Sequence, residues 1–546
     1  MNLQRLIACF ALAVLAVPVA VIAQDARPAA KVAAVAAKPV AGLQLVTSVE
    51  GITEYRMANG LRVLLFPDAS KPTVTVNVTY LVGSRHENYG ETGMAHLLEH
   101  LVFKGTPKNP SIDQQFNKRG MRTNGSTWLD RTNYFELFQA SDDNLKWAIE
   151  MEADRMVNSN IAKKDLDSEM TVVRNEYESG ENAPFSVLIK RLHSIAYDWH
   201  NYGNSTIGNR SDIENVKIEN LQAFYRRYYQ PDNAVLLVAG RFDEQKVKQW
   251  IAAAFGKIPK PKRELPKLWT VEPTQDGERS FVVRRKGDIQ IVLAAYKLPS
   301  ALHADSDAIG FINYVLTDAP SGRLHKALVE TGKAAQVVGF PLAGQDSTLH
   351  LLGAVVKKGE AIEPVQAELL RLVEEFQKNP PTTEEMERAR KSFANDAEKT
   401  LNNHESIGVE LSEYIALGDW RLFFQGRDAA EKVTVDQVRD VAGRYYRRDN
   451  RIVGQFQPED NPQRADIPPP PTAAEVLKDF KGKQATSVAE TFDPSQANID
   501  KRTVRTTVGG VKLALLTKKN RGETVNLNLS LHIGDEKSLF GKRFVA

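Results

Sequence analysis

The sequence predicts an α+β protein: two homologous lobes, each a mostly antiparallel sheet packed with helices, plus the incomplete start of a third lobe. Three observations carry this. Apolar periodicity alternates between 2 and 3.6 residues, as at Thr73–Tyr80 and then Met94–Phe103. Residues 280–460 loosely repeat the order of elements in residues 47–259. Near the end, Gly510-Val511-Lys512-Leu513 and the alternating run Thr524–Leu531 match Gly60-Leu61-Arg62-Val63 and Thr73–Tyr80, while Gly534 and Gly541 keep the offset of Gly83 and Gly90.

Residues 1–23 read as a secretory leader: Arg5, an apolar run from Leu6 to Ala23, and a small-residue cleavage site at Val21-Ile22-Ala23. The expected address is periplasmic or secreted, with no membrane association once the leader is cleaved. The single cysteine, Cys9, falls in the leader, so no disulfide is expected. Residues 24–46 are rich in Ala, Val and Pro and read as a tether. The composition, 42% hydrophobic and 25% charged with a net charge of +3, is that of a globular protein. No basic stripe interleaved with aromatics is present, which argues against a nucleic-acid partner.

The first lobe, residues 47–259, opens with a hairpin: Asn59-Gly60 turns between Glu54–Met57 and Arg62–Phe66. A half-buried strand is expected at Thr73–Tyr80 and another at Thr127–Phe138. Helices are expected at Met94–Phe103, Asp165–Ser179, Gln222–Tyr229 and Phe242–Phe255, with a strand at Ala234–Ala239. Residues 260–279 are Pro-rich and charged, a linker. The second lobe, residues 280–460, has expected strands at Ile289–Tyr296, His350–Val356 and Arg451–Phe456. Its expected helices are Asp305–Leu316, Arg323–Glu330, Ile362–Gln377, Glu384–Asn403 and Val433–Tyr446. Residues 461–499 form a second Pro-rich, polar linker, and residues 500–546 the start of a third lobe. Because Ala546 aligns with Ala95, the expectation is a chain whose complete form has a second half.

The chemistry concentrates in His96-Leu97-Leu98-Glu99-His100. On a helix, positions three and four apart share a face, so the two imidazoles can chelate one ion beside Glu99. This is the zincin signature reversed, H-x-x-E-H. A catalytic Zn²⁺ site needs a third protein ligand and an open position for water, from which Glu99 can take a proton. Glu169 and Glu176, two helical turns apart, point the same way, and Glu178 faces away from Glu169. Spacing alone leaves the third ligand open, because glutamates on helices are commonly just solvated.

The chain resembles the insulinase/pitrilysin metallopeptidases, a family that includes the mitochondrial processing peptidase. The resemblance is carried by Gly83-Ser84-Arg85-His86-Glu87, Gly93 to His100, Phe103-Lys104-Gly105-Thr106, Asn124 with Thr127 and Tyr134, Glu169 to Glu176, and Tyr228 to Val235 followed by Gly240. It implies that His96, His100 and Glu176 bind one zinc ion per chain and that Glu99 is the general base. Glu169, on the same helix face as Glu176, is read as orienting a ligating histidine. Asn124, at a sheet edge where a peptide can add as an extra strand, becomes a candidate substrate contact. The second lobe matches the family at Ser321-Gly322-Arg323-Leu324 but has no H-x-x-E-H. It also has Val329 and Ala335 near the positions where many members carry an Arg and a Tyr. The expected function is therefore zinc-dependent endoproteolysis of peptides or unfolded segments. The alternative is a non-catalytic or poorly active subunit that binds zinc and peptide but needs a second half, or a homologous partner subunit, for turnover.

Overall fold

The computed structural model describes residues 40–483 and 488–541, so the expected leader and most of the tether lie outside the described residues. The chain divides into two compact units that meet between Pro462 and Gln463.

The first unit contains two sheets. Strands β1 (Leu43–Val49), β2 (Ile52–Met57), β3 (Arg62–Pro67), β4 (Thr73–Tyr80), β5 (Arg122–Thr127), β6 (Thr132–Gln139) and β7 (Ala234–Gly240) form a seven-stranded sheet in the order β1-β2-β3-β7-β4-β6-β5. Only the pair β3/β7 runs parallel. Helices α1 (Met94–Val102), α2 (Ile112–Lys118), α3 (Asp142–Asn158), α4 (Lys163–Asn182), α5 (Pro184–Ala196), α6 (Arg210–Asn215), α7 (Ile218–Tyr228) and α8 (Glu244–Phe255) belong to the same stretch of chain. The second sheet is built from β8 (Arg279–Arg285), β9 (Ile289–Leu298), β10 (Gln336–Pro341), β11 (Thr348–Lys357) and β12 (Arg451–Pro458), in the order β10-β11-β9-β12-β8. Its helices are α9 (Ser306–Thr317), α10 (Glu363–Glu374), α11 (Thr383–Leu401), α12 (His404–Ala416), α13 (Leu422–Ala430) and α14 (Val435–Tyr445).

With β1 and β2 set aside, the two orders are the same permutation: β3-β7-β4-β6-β5 against β8-β12-β9-β11-β10. The one parallel pair recurs in the equivalent place, β12 with β8. The two lobes are thus homologous in topology, as the sequence expects.

Each sheet buries both faces, and the second cover is exchanged. Val76, Val78 and Leu236 of the first sheet pack against Leu97, Leu101 of α1 and Ile149 of α3. The opposite face, with Leu64, Val235 and Leu237, is covered by Ile407, Leu411 and Ile415 of α12 and by Trp420. In the second sheet, Val292, Ala294 and Leu352 pack on α9, α10 and α14 of their own lobe. Ile291, Leu293 and Leu351, on the other face, meet Leu188, Leu192 and Ala196 of α5, from the first lobe. Each lobe therefore lends one helix to the other. A polar seam continues the join: Arg85 reaches Gln345 at 2.8 Å and pairs with Asp346, while the Gln345 backbone N–H donates to Asp130 at 3.2 Å.

Three expectations are corrected. The tether does not run to residue 46, because Leu43–Val49 is already the edge strand β1, paired antiparallel with β2. The single strand expected at Thr127–Phe138 is two, β5 and β6, joined by a turn through Trp128–Arg131. In the second unit, β13 (Thr503–Val508) and β14 (Val511–Leu516) form a hairpin, but Thr524–Leu531 joins no ladder. Its alternate apolar side chains Val525, Leu527, Leu529 and Leu531 stay 71–90% exposed, because a strand without a partner sheet has nothing to bury its face against.

Candidate metal centre

Helix α1 is started from the loop before it. Gly93 takes a left-handed conformation, φ 88°, and a Cβ there would lie 2.6 Å from the Ile207 carbonyl oxygen. The buried Glu87 carboxyl accepts from the backbone N–H of Gly93 at 2.9 Å and of Ala95 at 2.8 Å, filling the capping role that Gly93 cannot. Burial pushes the Glu87 carboxyl up to about 8, against those two donors. Leu97, Leu98, Leu101 and Val102 bury one stripe of α1, which leaves His96, Glu99 and His100 on the side that faces α4 and β5.

There His96, His100 and Glu176 converge. The two histidine Nε2 atoms are 3.4 Å apart, and Glu176 Oε2 lies 3.7 Å from that of His96 and 3.5 Å from that of His100. The point equidistant from these three atoms is about 2 Å from each, the bond length of zinc to imidazole or carboxylate. Two imidazoles and a carboxylate around a point at that radius are a donor set that fits such an ion. Burial, and then the neighbouring His100, pull the His96 imidazole down to about 4, so it is neutral and able to ligate at neutral pH. Burial also opposes charge on His100, but Glu176, Glu99 and Glu169 outweigh it and raise that ring above its ordinary value. The Glu176 side chain is 46% exposed, so the site opens to solvent beside it.

Glu169 Oε2 lies 3.2 Å from His100 Nδ1. Its other oxygen pairs with Lys104, a partner the sequence reading missed. The signal was available, since Lys104 is four residues beyond His100. Glu178, the rival third ligand, is exposed and stands outside the group. Asn124 lies on β5, the edge strand, and its Oδ1 accepts from the neighbouring Gly125 N–H at 2.9 Å. The Glu99 carboxyl is 9% exposed and accepts from the Thr127 hydroxyl at 2.5 Å. Burial raises its pKa above the usual range, while Thr127, His100 and Arg131 pull the other way.

A helix carrying H-x-x-E-H beside an edge strand, with a carboxylate from a later helix as the third donor, is the arrangement of the inverted-zincin fold. Known families agree. Residues 62–210 match the model of the insulinase family, peptidase family M16, and residues 215–393 match that of the peptidase M16 inactive domain. The chain belongs to the M16 peptidase family. It is 30% identical to the zinc protease PqqE of Helicobacter pylori over 370 residues, 66% of this chain and 83% of that one. The crystal structure of a protease from Helicobacter pylori is similar with a TM-score of 0.71 at 28% identity, covering 74% of this chain and 99% of that one. The periplasmic protease PqqL from Escherichia coli shares the fold with a TM-score of 0.63 at 16% identity, over 88% of this chain and 57% of that one.

Proposed function

We propose that the chain is a zinc-dependent endopeptidase acting on peptides or unfolded polypeptide segments, in the periplasm or outside the cell. One observation carries this reading: three donors converge at zinc's bonding radius beside a buried carboxyl with a raised pKa. His96, His100 and Glu176 would hold one zinc ion, and Glu169 would orient His100. Zinc at this place supplies a Lewis acid that acidifies water and polarises a carbonyl. Glu99 takes a proton from the attacking water and returns it to the leaving amine. The substrate backbone pairs with the free edge of β5, which brings Asn124 to it. The expected address rests on the leader at residues 1–23. Among the described residues, no helix is long and apolar enough to cross a membrane.

A second reading, turnover only with a further half or a homologous partner subunit, is favoured by the exposed apolar side chains of residues 525–531 and by the 57% share of PqqL that the chain covers. The test is metal analysis of the purified protein, with cleavage of an unfolded protein by wild type and Glu99→Gln. The expected result is one zinc per chain and a loss of about 10²- to 10⁴-fold in the variant. Absence of zinc, or equal cleavage by the variant, would overturn the proposal. Binding of zinc with cleavage only after a second polypeptide is added would favour the second reading.

A further inference from the structure

Glu176 stands on the weakly packed half of α4. The helix buries Leu166, Glu169 and Val173, all of them before the ligand. From residue 174 to residue 186 no side chain is fully buried. Apolar burial therefore does not fix the turn that carries Glu176, although a donor aimed at a metal has to be held to within about 0.5 Å. Polar contacts do so instead. Successive helical residues are about 100° apart. Tyr177 and Glu181, four apart, thus share a flank well round the helix from Glu176. On that flank Lys190 of α5 donates to the Tyr177 hydroxyl at 3.0 Å and to Glu181 Oε1 at 3.1 Å. Its ammonium lies 4.3 Å from the centre of the Tyr177 ring.

The rest of the grip comes from the second lobe. Arg285, the last residue of edge strand β8, donates to the Glu181 carbonyl oxygen at 2.8 Å and pairs with Glu181 Oε2 at 2.8 Å. That carbonyl is among the last four of α4, which find no partner within the helix. A guanidinium there satisfies an orphan acceptor at the negative end of the helix dipole. Burial opposes the charge on Glu181, but Arg285 and Lys190 outweigh it and hold the carboxyl below its ordinary range. Strand β8 makes a similar contact at the far end of α5: Arg279 donates to the Ile195 carbonyl at 2.5 Å and pairs with Asp198 at 2.7 Å. One strand of the second lobe thus grips α5 at both ends, and the Arg285 end reaches back to α4.

We propose that Arg285 is a positioning residue for Glu176. Through Glu181, the second lobe sets the angle at which the third donor meets His96 and His100, although it lends no donor to the site itself. Lys190 ties α4 to α5, Arg285 ties the end of α4 to the second sheet, and the rotation of α4 about its axis follows from the two together. The histidines stand on α1, which is fixed by its own buried stripe and by Glu87. A shift of β8 against α4 therefore moves Glu176 and leaves the imidazoles in place. This inference rests on the peptidase reading and adds to it the residue that aims its third ligand.

The experiment measures zinc Kd by competition with a chelator, and amide hydrogen exchange of the metal-free protein, in Arg285→Met, Arg285→Lys and Arg279→Met. Arg285→Met keeps the apolar stem and removes the fork. It is expected to raise Kd about tenfold, the lower end of the range for residues that orient metal ligands, and to speed exchange in residues 174–182. Arg285→Lys keeps the charge and is expected to bring Kd back to within about threefold of wild type. Arg279→Met breaks the matching contact at the other end of α5, so it controls for a merely structural effect. It should lower the melting temperature and leave both Kd and the exchange of residues 174–182 as in wild type. With Glu176→Gln already in place, adding Arg285→Met should change Kd by less than about twofold, because the donor it aims is gone. Should Arg285→Met fail to fold, Glu181→Gln breaks the same pair from the other side and is read in the same way. A wild-type Kd in Arg285→Met, an equal loss in Arg279→Met, a loss that persists with Gln at residue 176, or unchanged exchange in residues 174–182 would each overturn the proposal. Failure of wild type to bind zinc would instead overturn the peptidase reading, and the exchange data would still decide whether Arg285 holds this turn of α4.

Discussion

Replacing Glu169 by Gln should weaken zinc binding without unfolding the protein. One oxygen of Glu169 lies 3.2 Å from His100 Nδ1, and the other pairs with Lys104. A carboxylate there holds the ring proton on Nδ1, which leaves the Nε2 lone pair aimed at the point shared with His96 and Glu176. The amide still accepts a hydrogen bond, but a neutral one. A bond to a charged acceptor is worth roughly 1 to 1.5 kcal/mol more than a neutral one. The Glu169 side chain is only 11% exposed, so solvent screens little of that difference. One kcal/mol or somewhat more corresponds to about a tenfold change in Kd, near the lower end of the 10- to 100-fold range for partners of metal-bound histidines. Glu169→Ala, which removes the acceptor altogether, should approach the upper end. The assay is competition for zinc against a chromogenic chelator at pH 7, with the melting temperature of the metal-free protein as the control for folding. Lys104→Met releases the second oxygen and leaves the hydrogen bond to His100 intact, so it should leave the affinity unchanged or raise it. A wild-type Kd in Glu169→Gln, or an equal loss in Lys104→Met, would refute the reasoning.

Two further predictions concern the scaffold. Leu192→Ala on α5 and Leu411→Ala on α12 each empty a fully buried position in a core shared by both lobes, and each should cost about 2 to 5 kcal/mol in urea denaturation. Because the helices are exchanged, tryptophan fluorescence and circular dichroism should report a single transition for residues 40–462; two resolved transitions in wild type would contradict the interlock. His350 is fully buried, and burial pushes its imidazole down to about 3. The unfolded chain takes up a proton near pH 6.5 that the folded chain refuses, so this contribution to stability is complete above about pH 6.5 and is lost as pH falls toward 3. Between pH 7 and pH 5 the loss is about 2 kcal/mol, and the gap in urea midpoint between those pH values should shrink in His350→Gln.

Much of this was legible because it is local. The H-x-x-E-H helix, the Asn59-Gly60 hairpin and the alternating run Thr73–Tyr80 are each specified by residues within a dozen positions. The join between β5 and β6 was not legible, because Trp128-Leu129-Asp130-Arg131 contains neither Gly nor Pro to mark a turn. Helices α12 and α13 escaped notice for a different reason: Ile407, Leu411 and Ile415 of the first and Phe424 of the second are buried by a sheet more than 150 residues earlier in the chain, and local periodicity does not name a distant partner. At the site, helical phase separated Glu176 from Glu178 but could not say that Glu176 meets the histidines.

The second lobe shows what the shared scaffold does when its polar groups are satisfied. Tyr228-Tyr229 before β7 and Tyr445-Tyr446 before β12 occupy equivalent places, each followed by Asp-Asn after two intervening residues. In the first lobe the Tyr229 hydroxyl bonds that of Tyr134, 2.8 Å away on β6. In the second, the Tyr446 hydroxyl meets His350 Nδ1 on β11 at 2.6 Å, and Asn313 Oδ1 takes the other ring nitrogen at 3.0 Å. With both nitrogens engaged and the ring sealed from solvent, His350 has no lone pair to offer a metal. His96 and His100 differ in that each keeps Nε2 directed at a common point beside a half-exposed Glu176. A single topology thus carries one lobe whose helix directs two imidazoles at a common point and another whose buried histidine sits on a strand and has both nitrogens engaged.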